Sequence, residues 1–152
     1  MTRAATKPTF SVVEANRTLP LVRAIAQDIV AEFARLKEIG RDRRALEVEV
    51  ASNPKARPKM DALKADIDEG ATRIDAYIKE LSDLGVELKD PERGLVDFPS
   101  ERAGRAVWLC WKLGEESVAH WHGMDETFSD RRPIEAGGKR PERRAAGEGP
   151  TS

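Results

Sequence analysis

One cysteine, Cys110, is all the chain has, so it can form no disulfide within itself and no multi-thiolate zinc cluster. Aromatic residues make up only 5%, too few for a core assembled mainly from rings. Nowhere do about 18 apolar residues run together, which excludes a membrane-spanning helix. The opening MTRAATKPTF lacks the apolar stretch of a secretory leader, and the expected compartment is the cytoplasm. There is no Gly-rich phosphate loop, no Ser-centred nucleophile elbow and no meaningfully spaced carboxylate pair. Charge of one sign is lacking too. Twenty-six basic and 27 acidic residues leave a net charge of −1, so no overall field draws the protein onto nucleic acid or membrane.

What remains is charge-rich. Charged residues are 35% of the 152 and hydrophobic ones 39%, a balance that suits long solvated helices, and the length suits one domain. Residues 1–9 read as a flexible arm. Order starts at Phe10, where Ser11 and Glu14 have the spacing of a capping box and Phe10 that of a hydrophobic staple. Pro20 belongs in a helix's first turn, so a short turn before Leu19 is expected to precede the long helix. Apolar residues then recur at Val22, Ile25, Ile29, Phe33, Leu36, Ile39, Leu46 and Val50, one stripe of a helix. Ser52-Asn53-Pro54 breaks the pattern. A second stripe runs through Met60, Leu63, Ile67, Ala71, Ile74, Ile78 and Leu81, and Gly85 stands at its C-cap. The two stripes predict a long antiparallel coiled-coil hairpin over 12–84.

After Gly85 the period shortens to two, and short apolar runs separated by turn residues predict a small antiparallel sheet of three or four strands over 85–123. The fold class is therefore α+β, a single domain spanning 10–134. Residues 135–152, rich in Gly, Pro and charge, read as a disordered tail whose basic run Lys139–Arg144 is interrupted by glutamate. A helix of roughly thirty residues is about 45 Å long, whereas a six-residue strand spans about 20 Å. The sheet can cover only part of the hairpin, and its distal half, with Leu36, Ile39, Leu46, Met60 and Leu63, must project or meet a partner.

All three tryptophans and both histidines fall between Trp108 and His122. On a strand, His120 and His122 share a face, an arrangement of metal ligands if a third approaches from Cys110, Glu115, Asp97 or Asp125. Register decides whether Cys110 joins. A two- or four-residue connection after Lys112 sets Cys110 opposite Ala119, and a three-residue one sets it opposite His120; the sequence leaves both open. Against this stands the plainer reading, in which Trp and Cys are core and the histidines are hydrogen-bonded strand residues. Nothing nearby marks Cys110 as an activated nucleophile. A polar pocket of Asp97, Arg105, Lys112 and Arg131 at the sheet edge is a further candidate.

The runs FSVVEANRTLPLV, LGVELKDPERGLVDFP and VWLCWKLGEESVAHWH, with the FSDRRP from Phe128, resemble the uncharacterised prokaryotic domain-of-unknown-function family twenty-two-oh-three. The resemblance covers about Phe10 to Pro133 and brings no activity. It implies a shared site among Glu14, Asn16, Gly94, Asp97, Cys110, Trp111, Glu115, Trp121, His122 and Arg131.

Two functions are weighed. The favoured one is an interaction or self-association module working through the hairpin, on the ground that a fold without a recognisable catalytic set should not be assigned chemistry. The alternative is a ligand- or metal-binding protein or enzyme with a site on the sheet around Cys110, Glu115 and His122. Its ligand-binding residues would be Asp97, Cys110, Glu115, His122 and Arg131, with His120 and His122 as metal ligands and a divalent metal as the cofactor.

Overall fold

The computed structural model describes residues 9–135, so all but the last residue of the arm and the first of the tail lie outside the described residues. Helix α1 runs Val12–Val50 and α2 runs Arg57–Leu84; five strands follow: β1 Glu87–Asp90, β2 Leu95–Arg102, β3 Arg105–Lys112, β4 His120–Gly123 and β5 Arg132–Pro133. The strands pair in sequence order, every neighbour antiparallel. Among the described residues five strands stand where three or four were expected. The fifth escapes a periodicity search because it is only two residues long and includes a proline.

The capping box forms as expected: Glu14 N donates to Ser11 Oγ at 3.0 Å, and Ser11 N to Glu14 Oε1 at 2.9 Å. Pro20 does not start the helix. Helix α1 runs straight through it from Val12. A proline inside a helix costs about 3 kcal/mol. Here Ala15 and Leu19 before it and Val22, Ile25, Ala26 and Ile29 after it are all buried on one face. At about 1.5–3 kcal/mol for each large apolar side chain, that face outweighs the lost hydrogen bond. Gly85 ends α2 at φ 90°, the left-handed cap it was expected to supply.

The helices run antiparallel, with Glu32 bonded to Arg73 at 3.0 Å and Arg35 near Asp66 at 3.6 Å. Only the proximal half meets the sheet. One cluster joins α1, Leu81, Val86 and the sheet residues Val96, Phe98, Leu109 and Trp111. Beyond Ile29 no residue of α1 is buried, and Leu36, Ile39, Leu46, Leu63 and Ile67 are half-buried. The second stripe is also rotated from its expected line. Ala71 and Ile78 stand exposed while Gly70 is buried. A Cβ on Gly70 would lie 2.4 Å from Leu36 Cδ2, so glycine lets the helices approach there. Among the described residues no helix is long and apolar enough to cross a membrane.

Candidate functional site

The face of the sheet turned away from the helices carries the site. Along β2 the side chains alternate, and Val96 and Phe98 enter the core while Asp97 points outward. Asp97 pairs with Cys110, Cys110 with His120, and Trp108 with His122, so these residues share the outer face of three adjacent strands. The open choice of register is thereby decided in favour of Cys110 opposite His120.

The outer face is nevertheless buried at its centre: Asp97 is 2% exposed, Cys110 0% and His122 3%. One imidazole nitrogen, His122 Nδ1, lies 2.9 Å from Gly123 O, and the other, Nε2, lies 3.0 Å from Asp97 Oδ2. A carbonyl oxygen only accepts, so Nδ1 carries a proton. A neutral ring would then offer a lone pair at Nε2 to a carboxylate that also offers lone pairs. The contact holds only with a further proton between them, on the ring or on the acid. Burial raises the Asp97 carboxyl above the ordinary Asp value, opposed by the positive charges of His122 and Lys89. Its other oxygen, Oδ1, is buried and has no hydrogen-bond partner. The Cys110 thiol favours the ionised acid weakly, yet makes no bond of ordinary geometry to Oδ1.

Burial and the nearby Asp97 push the Cys110 thiol up to about 12 in spite of the Arg131 guanidinium 3.9 Å away. A thiol held neutral is no nucleophile, which agrees with the absence of an activating pattern around it. Arg131 donates weakly to Cys110 Sγ and grips Glu115 with both nitrogens. Glu115 also accepts Lys112 N at 3.0 Å. Burial acts to raise the Glu115 carboxyl, but the Arg131 hydrogen bond and the Lys112 amide outweigh it and leave the group below the ordinary Glu value. His120 is lowered, first by burial and then by Arg131. It stands outside the cluster: the donor atoms that converge belong to Asp97, Cys110 and His122. Arg105 is exposed beside the β2–β3 turn, paired with Arg102.

A cavity of about 610 Å³ opens over Asp97 and His122. Its walls include Trp108 and Phe128, with Lys89 Nζ 4.9 Å over the first ring and the Arg93 guanidinium 5.0 Å over the second. Phe128 lies in a short 3-10 turn, Phe128–Asp130, after β4. None of these four wall residues was singled out as a ligand-site residue from sequence. Trp108 alone carried a signal, since it sits two residues from Cys110 and must share its face.

Several residues implied by the resemblance have structural duties. Glu14 caps α1, and Asn16 clasps Val118 through Val118 N to Oδ1 at 2.8 Å and Nδ2 to Val118 O at 3.2 Å. Trp111 Nε1 donates to Glu115 O at 3.0 Å from within the core. Gly94 has φ +66°, and a Cβ there would sit 2.8 Å from Leu113 Cβ. Trp121 packs against Arg102 and Arg132, each guanidinium 4.6 Å from its ring. Asp97, Cys110 and His122 remain as one buried polar group whose donor atoms converge.

No curated protein and no solved structure matches the chain. The model of one family, described as "Uncharacterized conserved protein (DUF2203)", matches residues 8–134, and the chain belongs to that family.

Proposed function

We propose that this protein binds a small organic ligand in the outer-face cavity, whose polar end is recognised by Asp97 and His122. The observation that carries this reading is a fully buried acid–imidazole pair, one oxygen of it unpartnered, on the floor of a cavity of about 610 Å³. Ligand pockets typically hold about 300–1,000 Å³ and combine apolar walls with a few converging polar groups. Trp108, Phe128, Leu95 and Met124 supply the apolar walls. A purely structural pair would need neither the cavity nor the idle oxygen. No reaction is assigned. The test is a two-dimensional NMR titration with benzoate, benzyl alcohol and benzylamine. At least one probe should shift the Trp108 indole and the amides of 122–129, and His122→Ala should abolish the shift while the fold persists. No shift at Trp108 with any probe overturns the reading.

Self-association through the hairpin is a second reading, favoured by an apolar groove of about 520 Å³ walled by Phe33, Leu36, Ala71, Ile74, Ile78 and Pro91. Its occupant would be a second copy: the rim carries Arg44 on α1 and Asp75 on α2, charges that a two-fold contact sets against each other. Sedimentation equilibrium should show a dimer at micromolar concentration and a monomer for Ile78→Glu, whose side chain is already exposed. A wild-type monomer throughout removes this reading.

A further inference from the structure

We propose that Asp97, Cys110 and His122 form a transition-metal site of the zinc type on the floor of the outer-face cavity. This deepens the ligand-site reading and rests on it only for the cavity that the metal would face.

The three donor atoms all lie within 4.8 Å of one another. A tetrahedral zinc with bonds of about 2.0–2.3 Å spaces its donors about 3.3–3.8 Å apart, so the set needs to contract by at most about 1.5 Å. They stand on β2, β3 and β4, three hydrogen-bonded neighbours, which fixes their relative positions as a loop would not. His122 has the outer bond that a ligating histidine needs. Its Nδ1 is held by Gly123 O, and this turns the Nε2 lone pair toward the other two donors. Asp97 Oδ1, buried and without a partner, is a donor with nothing to bind.

Charge and softness agree. A thiolate and a carboxylate together neutralise a divalent ion, which a buried site requires. Thiolate and imidazole select zinc, cobalt or iron over magnesium and calcium. Two cations face the cluster, each also held by an acid: Arg131 grips Glu115 while donating to Cys110 Sγ at 3.9 Å, a contact that favours the thiolate, and Lys89 bonds Glu87 at 3.0 Å while lying over Trp108. On binding, the thiol proton and the proton shared by Asp97 and His122 leave to solvent, and three metal–donor bonds form. Among the described residues three protein ligands converge, and both Asp97 and His122 line the cavity, so the fourth position is left to water or a ligand there.

Full-length protein, freed of tag and stripped of metal by chelation and desalting, tests this with zinc and cobalt(II) as the probes. One equivalent of zinc should raise the melting temperature. Cobalt should give the thiolate-to-metal charge-transfer band and the visible bands of a tetrahedral centre. Cys110→Ser should remove the charge-transfer band, and His122→Gln should weaken cobalt binding by more than the roughly 10–100-fold that loss of an outer partner costs. Circular dichroism confirms that each variant is folded, and Asp97→Asn, nearly isosteric, provides a third if either fails to fold. Wild type that takes up no zinc and shows no thiolate–cobalt band overturns the proposal. So does undiminished cobalt binding by folded Cys110→Ser. The NMR titration of metal-free protein separates the two failures, since organic probes can still fill the cavity when the metal site is wrong.

Discussion

The centres of the two faces of the sheet are buried alike and built from opposite chemistry. Inward, Val96, Phe98, Leu109 and Trp111 meet the helices with no exposed surface; outward, Asp97, Cys110 and His122 are sealed almost as completely. Apolar burial is favourable by itself, at about 25 cal/mol for each Å² removed from water. Burial of an acid and an imidazole is not, unless each finds partners, and here one oxygen finds none. The inner face accounts for the stability of the fold. The polar centre of the outer face is not accounted for in that way, and substitutions on the two faces should behave differently.

The largest effect is expected inside. Trp111→Ala removes the largest fully buried side chain and orphans the Glu115 carbonyl that its indole serves, and should cost about 3–5 kcal/mol in denaturant unfolding. A loss below about 1 kcal/mol would dissolve the contrast between the faces.

Glu115→Gln comes next. It breaks the two-pronged bond to Arg131 and should cost about 1–3 kcal/mol at neutral pH. Because the Glu115 carboxyl is lowered in the fold, its stabilisation is complete above the ordinary Glu value and is lost as pH falls through the lowered one. The difference between variant and wild type should therefore shrink in acid, as urea titrations at several pH values would show.

Asp97 should slope the other way. Burial raises it, so as pH climbs past the ordinary Asp value the unfolded chain ionises first and the native state loses stability until Asp97 ionises too. In chelator, Asp97→Asn should lie within about 1 kcal/mol of wild type in acid and gain on it toward neutral pH, since an amide still bonds His122 without a buried charge. A variant that falls behind as pH rises would show that the ionised acid is well solvated and the outer face ordinary.

The smallest expected effect touches neither face. Ala103 sits at φ 52° beside Gly104 at φ 79° in the turn joining β2 to β3, a turn that prefers Asn-Gly. Ala103→Asn should stabilise the hairpin by a few tenths to about 1 kcal/mol, read as a shift in denaturant midpoint without change of slope. An equal or larger gain from Asp97→Asn at neutral pH would sharpen the case that the outer site is held at a cost to stability.

Local chemistry was enough for much of this protein. Periodicity in Val22, Ile25 and Ile29 and again in Leu63, Ile67 and Leu81 determined two helices, and the caps at Ser11 and Gly85 the outer ends of the hairpin, because a helix is specified by contacts within a few residues. The change to period two after Gly85 determined a sheet. The family was legible as well, in the runs around Phe10, Gly94 and Trp121. Pro20 misled, because its penalty is local whereas the burial that overrides it comes from strands about eighty residues further along. The geometry of the candidate site was half-legible. Asp97, Cys110, Glu115, His122 and Arg131 were picked out by residue type, but neither their division into a Glu115–Arg131 pair and an Asp97–Cys110–His122 cluster nor the walls Lys89, Arg93 and Phe128 followed from it. Those depend on strand register, since one residue of slip moves every side chain to the opposite face, and register is decided by tertiary packing across β2, β3 and β4.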